Sequence, residues 1–288
     1  MKANAIVRIV IWSLVLVILL GVLGAGLLFR TMRSHSDSDE HFGNLSSGSF
    51  SLDPSDVREI HIEWAAGNIV IEPAAVDSIQ ISESAPGHSV DSMVWKLDKC
   101  KLSIRSSEKI TVAFGINQIQ NYSKDLTILV PMNWECASLE IDAASAAVSV
   151  KNLVIRNVDF DGASGTCNFD NCDIDTLDVD TASGDISFTG TMNILECDSA
   201  SANVCAVFDN VPSRIDVDSM SGDLDITLPS HAGFMVSMDG LAEDFTSDFL
   251  YTQRNGEYWH GDGQCRITLD ALSSDVYIRA ADTPDDAY

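Results

Sequence analysis

A twelve-residue pattern that recurs along the chain is the feature that most constrains its fold. The pattern reads apolar, polar, apolar, acid, two variable residues, two small residues, polar, apolar, polar, apolar. Five close copies begin 18 to 20 residues apart, and weaker copies begin at Ile60, Val236 and Ile267. The close copies are LEIDAASAAVSV from Leu139, VDFDGASGTCNF from Val158, LDVDTASGDISF from Leu177, LECDSASANVCA from Leu195 and IDVDSMSGDLDI from Ile215.

A unit of this length cannot bury an apolar face by itself, so the copies must stack, each strand pairing with the equivalent strand of the next copy. Alternation with period two inside the unit is typical of β-strands. The sequence therefore predicts an all-β fold, a single-chain β-solenoid with rungs of roughly 19 residues. Glycines at the corner between the two strands, Gly165, Gly184 and Gly222, fit a bend that needs positive φ.

Two segments interrupt the period. Residues 77–132 contain short strand-like runs, which we interpret as irregular rungs. Residues 249–264 contain Asn255-Gly256 between aromatic flanks, a strong signal for a two-residue hairpin. We expect that hairpin to cover the open end of the solenoid.

The N-terminal part has a different composition. Residues 9–29 read IVIWSLVLVILLGVLGAGLLF, long enough as a helix to span the roughly 30 Å hydrocarbon core of a bilayer. We expect a single uncleaved transmembrane helix with the N-terminus in the cytoplasm and the large C-terminal domain outside it. A cleavable signal peptide is the alternative. The predicted organisation is a cytoplasmic stub (1–8), the helix (9–29), a flexible linker (30–49), the solenoid (50–281) and a tail (282–288).

Charge narrows the range of partners. The chain has 43 Asp and Glu against 17 Lys and Arg, a formal net charge of −26. Nucleic acid and anionic lipid head groups are therefore poor partners, apart from the membrane contact of the N-terminal helix. Cations, basic peptides or envelope polymers are plausible ones, and solubility alone is the plainer interpretation.

The seven cysteines show neither a CxxC pair nor the His spacing of a zinc site. Their odd number excludes complete internal pairing, and we expect no obligatory disulfide framework. Cys167 and Cys197 fall at inward positions of the repeat, where a free cysteine behaves as a small apolar residue.

The second and fourth positions are both acidic in all five close copies. On a strand these positions point outward about 7 Å apart, and neighbouring rungs are about 4.8 Å apart, so ten carboxylates are expected to line one face. Calcium is the candidate ligand of this face, and no other cofactor is expected. A solvated face, or side chains that cap the adjacent corner, are the alternatives. The ten residues are Glu140, Asp142, Asp159, Asp161, Asp178, Asp180, Glu196, Asp198, Asp216 and Asp218.

Several motifs resemble a known family. They are T-x-S-G-D-I at Ser183, D-V-D-S-x-S-G-D-L at Ser221, the opening I-x-I-x-x-x-x-G-N-I-x-I at Ile60 and the ending GDGQCRITLDALSSDVYIRA from Gly261. Together they resemble the LiaG-like bacterial family of β-strand-repeat domains of unknown function described as adhesins. The resemblance implies an envelope-exposed repeat domain, associated in some relatives with envelope stress, and no catalytic residues. Residues other than glycine occupy some corners, which we expect to differ in conformation: Ala146-Ala147, Ala202 and Glu243.

Catalytic motifs are not evident. The histidines of the predicted domain, His61, His88, His231 and His260, lie in no recognisable motif, and the serines fall at turn positions. We therefore expect a non-enzymatic interaction or scaffold protein of the cell envelope. The alternative is a carbohydrate-active β-helix enzyme, which would need two carboxylates in different environments beside a cleft with aromatic side chains.

Overall fold

The structure is a computed structural model that describes residues 44–45, 48–85, 93–106, 123–240 and 244–281. The chain divides into two units, Met1–Gly43 and Asn44–Tyr288, and the first lies outside the described residues. The regular structure of the described part is twenty β-strands and a short 3-10 helix, Pro54–Asp56. The strands are β1 (Asn44–Leu45), β2 (Ser49–Leu52), β3 (Glu59–Ala74), β4 (Ile79–Ser84), β5 (Val94–Asp98), β6 (Lys101–Arg105), β7 (Asp125–Pro131), β8 (Glu135–Lys151), β9 (Val154–Gly162), β10 (Cys167–Ser183), β11 (Ile186–Ser201), β12 (Val204–Phe208), β13 (Arg214–Ser221), β14 (Leu224–Leu228), β15 (Phe234–Asp239), β16 (Phe245–Ser247), β17 (Thr252–Arg254), β18 (Glu257–His260), β19 (Cys265–Ser273) and β20 (Val276–Ala280).

The predicted membrane helix is not part of this description. Residues 9–29 lie outside the described residues, as do residues 1–8, residues 282–288 and most of the predicted linker. In the part of the chain that the structure does describe, no helix combines the length and the apolar character needed to cross a bilayer.

The five close copies stack in parallel and in register. Their first strands pair in the order β8, β9, β10, β11, β13, so the first position of each unit lies beside the first position of the next. Their second strands form another wall, running through β8, β10, β11, β12 and β14. Side chains at the inward positions pack between the walls, as Val179 and Phe188 do at 0% and 1% exposure. The predicted all-β solenoid is confirmed for these rungs.

The corners follow the glycine pattern. Gly165, Gly184 and Gly222 have φ values of 139°, 128° and 135°, a conformation that side-chain-bearing residues rarely adopt. Each packs against a neighbouring backbone carbonyl, so a Cβ there would overlap it. Ala146, Ala147 and Ala202 are not among the residues with positive φ, so their corners differ in conformation as expected, and Glu243 lies outside the described residues.

The N-terminal end of the stack changes from parallel to antiparallel pairing. β6 and β7 pair in parallel with the two halves of β3, and they form one irregular rung outside it. β5 then pairs antiparallel with β6, β4 antiparallel with β7, and β2 antiparallel with β4. The described residues between 77 and 132 therefore supply one irregular rung and strands of a cap, where the sequence predicted irregular rungs throughout.

The C-terminal end shows one error in the predicted strand order. β19, which begins the copy at Ile267, pairs in parallel with β13 on one side and β15 on the other. The copy at Val236 therefore lies outside the later copy at Ile267, and the expectation that every copy pairs with the next one in sequence is wrong here. The predicted hairpin is confirmed: β17 and β18 join through Asn255 and Gly256, both at positive φ, and β18 pairs antiparallel with β15. The physical reason is that this hairpin occupies the outer edge of β15, so β19 pairs at its inner edge.

The seven cysteines are free. Cys167 and Cys197 are buried at 2% and 1% exposure, at the inward positions that the repeat predicted. Burial raises the pKa of both thiols to about 12, so they stay protonated near neutral pH and act as core side chains.

Candidate functional site: an acidic face

The ten predicted carboxylates lie together on one face, which we call the acidic face. Glu140, Asp159, Asp178, Glu196 and Asp216 are direct neighbours from strand to strand in the parallel register. The fourth-position residues form a second column beside them in the same register: Asp142, Asp161, Asp180, Asp198 and Asp218. The sequence placed all ten correctly because side chains of a strand alternate between its two faces.

The structure lengthens the second column beyond the five close copies. Glu63 pairs with Asp142 at one end, and Asp218 is followed by Asp270 and then Asp239 at the other. Eight acids therefore follow one another in the fourth position. The sequence carried the signal, since the three weaker copies also have an acid there, but the strand order that makes the column continuous was not predicted.

Basic side chains neutralise only parts of this face. Lys101 Nζ lies 2.6 Å from Glu140 Oε2, and Arg105 Nε lies 3.0 Å from Glu63 Oε2. Arg214 pairs with both Glu196 and Asp216. The other six predicted acids have neither a basic side chain nor a histidine within 4.0 Å among the described residues. They are Asp159, Asp161, Asp178, Asp180, Asp198 and Asp218.

The crowding changes how these groups bind protons. Partial burial, followed by repulsion from Asp159 and Asp142, raises the pKa of Asp161 to about 6. Burial is also the main cause, with neighbouring carboxylates second, of the raised pKa of Asp159, Asp180, Asp198, Asp218 and Asp270. Asp270 also keeps a buried oxygen, Oδ1, without a hydrogen-bond partner among the described residues. Such a face favours the binding of protons or cations.

Capping of the corners is done by other residues. The hydroxyls of Thr181 and Ser219, one position after the fourth-position acids, donate to the carbonyls of Ser183 and Ser221 at 3.0 and 2.8 Å. No hydrogen bond joins the predicted acids to a corner backbone within the described residues. The capping alternative is therefore not what relieves the charge of the acidic face.

His61 lies at the N-terminal limit of this face, next to Glu140 in the register of β3 and β8. Its Nε2 atom is 3.0 Å from Asp142 Oδ2 and 3.7 Å from Glu140 Oε1. The hydrogen bond with Asp142 is the main cause of the raised pKa of His61. Sequence reasoning placed His61 outward but missed this contact, because the two strands are about eighty residues apart in the chain.

A separate groove of about 660 Å³ is lined by the first residues of β9 and by residues of neighbouring strands. Its polar lining includes Arg58, Arg156, Asp173 and Asp175, and no aromatic side chain lines it. Asp173 accepts a hydrogen bond from Thr191 at 2.8 Å, and Asp175 accepts one from Asn193 at 3.3 Å. The groove lacks the aromatic platform that the enzymatic alternative calls for, and none of the ten predicted acids lines it.

Comparison with known proteins gives the family. A search among curated proteins found no match. Similar solved structures include a candidate cell adhesion protein from Clostridium sporogenes (7% identity, 81% of this chain and 98% of that chain, TM-score 0.39), a candidate adhesin from Bacteroides fragilis (14%, 82% and 99%, 0.44) and a candidate lipid binding protein from Parabacteroides distasonis (14%, 81% and 96%, 0.35). The sequence model of the Toastrack DUF4097 family matches residues 57–279, which is most of the chain. This β-repeat protein therefore belongs to the Toastrack DUF4097 family.

Proposed function

We propose that the chain is a non-enzymatic, membrane-anchored interaction or scaffold protein of the cell envelope, and that the acidic face is its binding surface. The anchor is supported by the apolar run at residues 9–29, which is followed by a polar segment before the folded domain. An envelope-stress or adhesin-like role rests on the LiaG-like resemblance of the repeat motifs.

The observation that carries this proposal is the repetition of the acidic face. Two columns of carboxylates cross the paired strands, with neighbouring rungs spaced about 4.8 Å apart. A single active site needs two acids in different environments, whereas these acids repeat from rung to rung. The face therefore suits a partner whose positive charges also repeat, such as a basic peptide or a cationic envelope polymer.

The surface can be tested with poly-L-lysine as the cationic probe. The face variant carries Asp159→Asn, Asp178→Asn and Asp216→Asn. A control variant with the same net charge carries Asp56→Asn, Asp77→Asn and Asp209→Asn, three exposed acids elsewhere. We expect the face variant to bind labelled poly-L-lysine several-fold more weakly than wild type, and the control variant to bind as wild type does. Equal weakening in both variants would mean that net charge, and not the face, attracts the probe.

Calcium provides a second arm of the same test. If the ten carboxylates bind calcium only in the folded state, millimolar calcium should raise the melting temperature more than sodium chloride of equal ionic strength. The face variant should lose that excess. Equal shifts from both salts, in wild type and variant alike, would leave a solvated face with no calcium site.

Location is tested on intact cells. With the domain outside the cytoplasmic membrane, added protease should release a fragment of about 250 residues. A fragment that stays protected until the cells are lysed would contradict the proposed orientation. Release into the medium without protease would favour the cleaved signal peptide.

A further inference from the structure

Three metal-ligating side chains of different chemistry meet at the N-terminal limit of the acidic face. His61 on β3 lies opposite Glu140 on β8, and Asp142 is two residues further along β8 on the same side of the strand. One ligand atom of each lies within 4.8 Å of the others, and no other such group is found among the described residues. At this limit of the face, an imidazole occupies the position that carboxylates occupy in the central rungs.

We propose that His61, Glu140 and Asp142 bind one divalent transition-metal ion of the zinc class. Zinc bonds of about 2.0 to 2.2 Å to nitrogen and oxygen place tetrahedral ligand atoms about 3.4 Å apart. The distances from His61 Nε2 to Asp142 and Glu140, 3.0 and 3.7 Å, lie on either side of that value. The third distance, between the carboxylate oxygens of Glu140 and Asp142, is within 4.8 Å.

The orientation of Glu140 suits this role. Its Oε2 atom faces Lys101, at 2.6 Å, while its Oε1 atom faces His61. One oxygen is therefore held by a charge-assisted hydrogen bond, and the other is directed toward the proposed ion. Such outer partners commonly orient metal-ligating carboxylates.

The backbone beneath the three ligands is also well defined. β3 and β8 pair in register from Glu59 and Ser138 to Ile71 and Val150, on both walls of the solenoid. Ligands on paired strands are held more accurately than ligands on loops. Asp159 and Asp161, the next residues across β9, add negative potential that attracts a cation to the site.

The ligand set distinguishes this site from calcium binding by the carboxylates of the acidic face. Calcium takes six to eight oxygen ligands, whereas an imidazole with two carboxylates suits zinc and similar ions and leaves a coordination position for water. The inference does not depend on the proposed binding of cationic polymers, which uses the whole face.

The test measures zinc binding by the purified full-length chain. Calorimetry gives the affinity and stoichiometry, and thermal unfolding gives the melting temperature. Zinc should bind with one-to-one stoichiometry and raise the melting temperature, and calcium at the same concentration should not match it. Losing an outer partner of a metal ligand typically weakens binding about 10- to 100-fold. Because His61 is proposed as a ligand itself, His61→Gln should weaken zinc binding more than about 100-fold. His231→Gln, at an exposed histidine of a turn, is the matched control and should bind zinc as wild type does.

Two further variants keep the outcome decisive. Cys205→Ser removes the exposed thiol and should leave zinc binding unchanged. If His61→Gln does not fold, as judged by circular dichroism without zinc, Asp142→Asn takes its place with the same expected loss. Zinc binding that survives both ligand variants, disappears in Cys205→Ser, or is equalled by calcium would overturn the proposal.

Discussion

The central rungs and the two ends of this solenoid follow different rules. From β8 to β14 the chain climbs one rung per repeat, with parallel pairing between neighbouring copies. At the ends the outermost rungs are β6 with β7, and β15 with β16, and antiparallel strands pair with β6, β7 and β15. The first copy (β3) and the last (β19 with β20) each lie one rung inside an end.

This difference shows how a repeat protein closes its edges. A stack of identical rungs would leave an open strand at each end, a template for pairing with another chain. An antiparallel strand can follow through a short turn, whereas a further parallel strand needs a crossover. The first and last copies, held between neighbours on both sides, gain pairing that a terminal strand would lack.

The interiors differ as well. Between the central walls the buried side chains are mostly apolar, whereas the N-terminal end buries Glu83 and Lys124, whose side chains are 0% and 6% exposed and lie 4.0 Å apart. Glu83 also accepts a hydrogen bond from the Met93 backbone at 3.1 Å. Irregular strands thus use specific polar contacts where the central rungs rely on repeated packing.

The largest expected contrast comes from charging an inward position of the centre and an outward position of an end. Val179→Asp places a carboxylate between the walls, at a fully buried site, and should cost about 4 kcal/mol or more of the free energy of unfolding. Leu250→Asp, at a residue 92% exposed near the C-terminal hairpin, should be nearly neutral. Urea unfolding followed by circular dichroism measures both. An unaffected Val179→Asp variant would refute the register.

A second contrast compares two glycines at positive φ. Gly184→Ala at a central corner should lower the free energy of unfolding by about 3 kcal/mol or more, because its Cβ would overlap the Gly165 carbonyl and its φ is 128°. Gly256→Ala in the end hairpin, with φ of 91° and open space around its Cβ position, should cost only about 1 kcal/mol. Equal losses in the two variants would show that conformation alone, and not the close stacking of corners, governs the centre.

The acidic face offers a third contrast, in the absence of divalent cations. Because no described hydrogen bond uses the acids for capping, the face variant should raise the free energy of unfolding by roughly 1 kcal/mol. Relieved repulsion at Asp159 and Asp178 should outweigh the loss of the exposed ion pair between Asp216 and Arg214. The control variant at Asp56, Asp77 and Asp209 should change it much less. A face variant that is less stable than wild type would mean that these side chains support the backbone after all.

The smallest expected effect is the dependence on pH. A carboxyl whose pKa is higher in the folded state destabilises the fold when ionised, and this penalty is removed as the pH falls through the folded pKa. With Asp161 at about 6 and an ordinary value of 3.8, stability should rise between about pH 7.5 and about pH 5. Asp161→Asn should reduce that rise without abolishing it, because His61, whose pKa is also raised, contributes in the same direction. Urea midpoints at both pH values measure the difference.

Asp53, at the N-terminal end, behaves in the opposite sense. Hydrogen bonds from the Ser55 side chain and backbone lower its pKa, so its contribution is present above 3.8 and is lost only as the pH falls below that value. Asp53→Asn should therefore leave the change in stability between about pH 7.5 and about pH 5 the same as in wild type. A smaller change in stability with pH in the Asp53→Asn variant would mean that Asp53, and not Asp161, causes part of the pH dependence.

The features that are local to each unit could be predicted from the amino-acid sequence alone. Period-two alternation sets which side chain of a strand faces in, so Val179 and Cys197 in the core and Asp159 and Asp178 on the acidic face were all predictable. Corner glycines and the Asn255-Gly256 turn were predictable for the same reason, since a bend with positive φ restricts the residue that occupies it.

The order in which the copies become neighbours could not be predicted from the repeat pattern. Every copy presents nearly the same edge and the same inward side chains, so the repeat pattern does not distinguish pairing of β13 with β15 from the observed pairing with β19. That choice depends on the connections and caps, which are not repeated and act over long distances in the chain. Residues far apart in sequence meet only when their strands become neighbours. The strand order therefore brings His61 into contact with Asp142. It also extends the acidic column to Asp270 and Asp239.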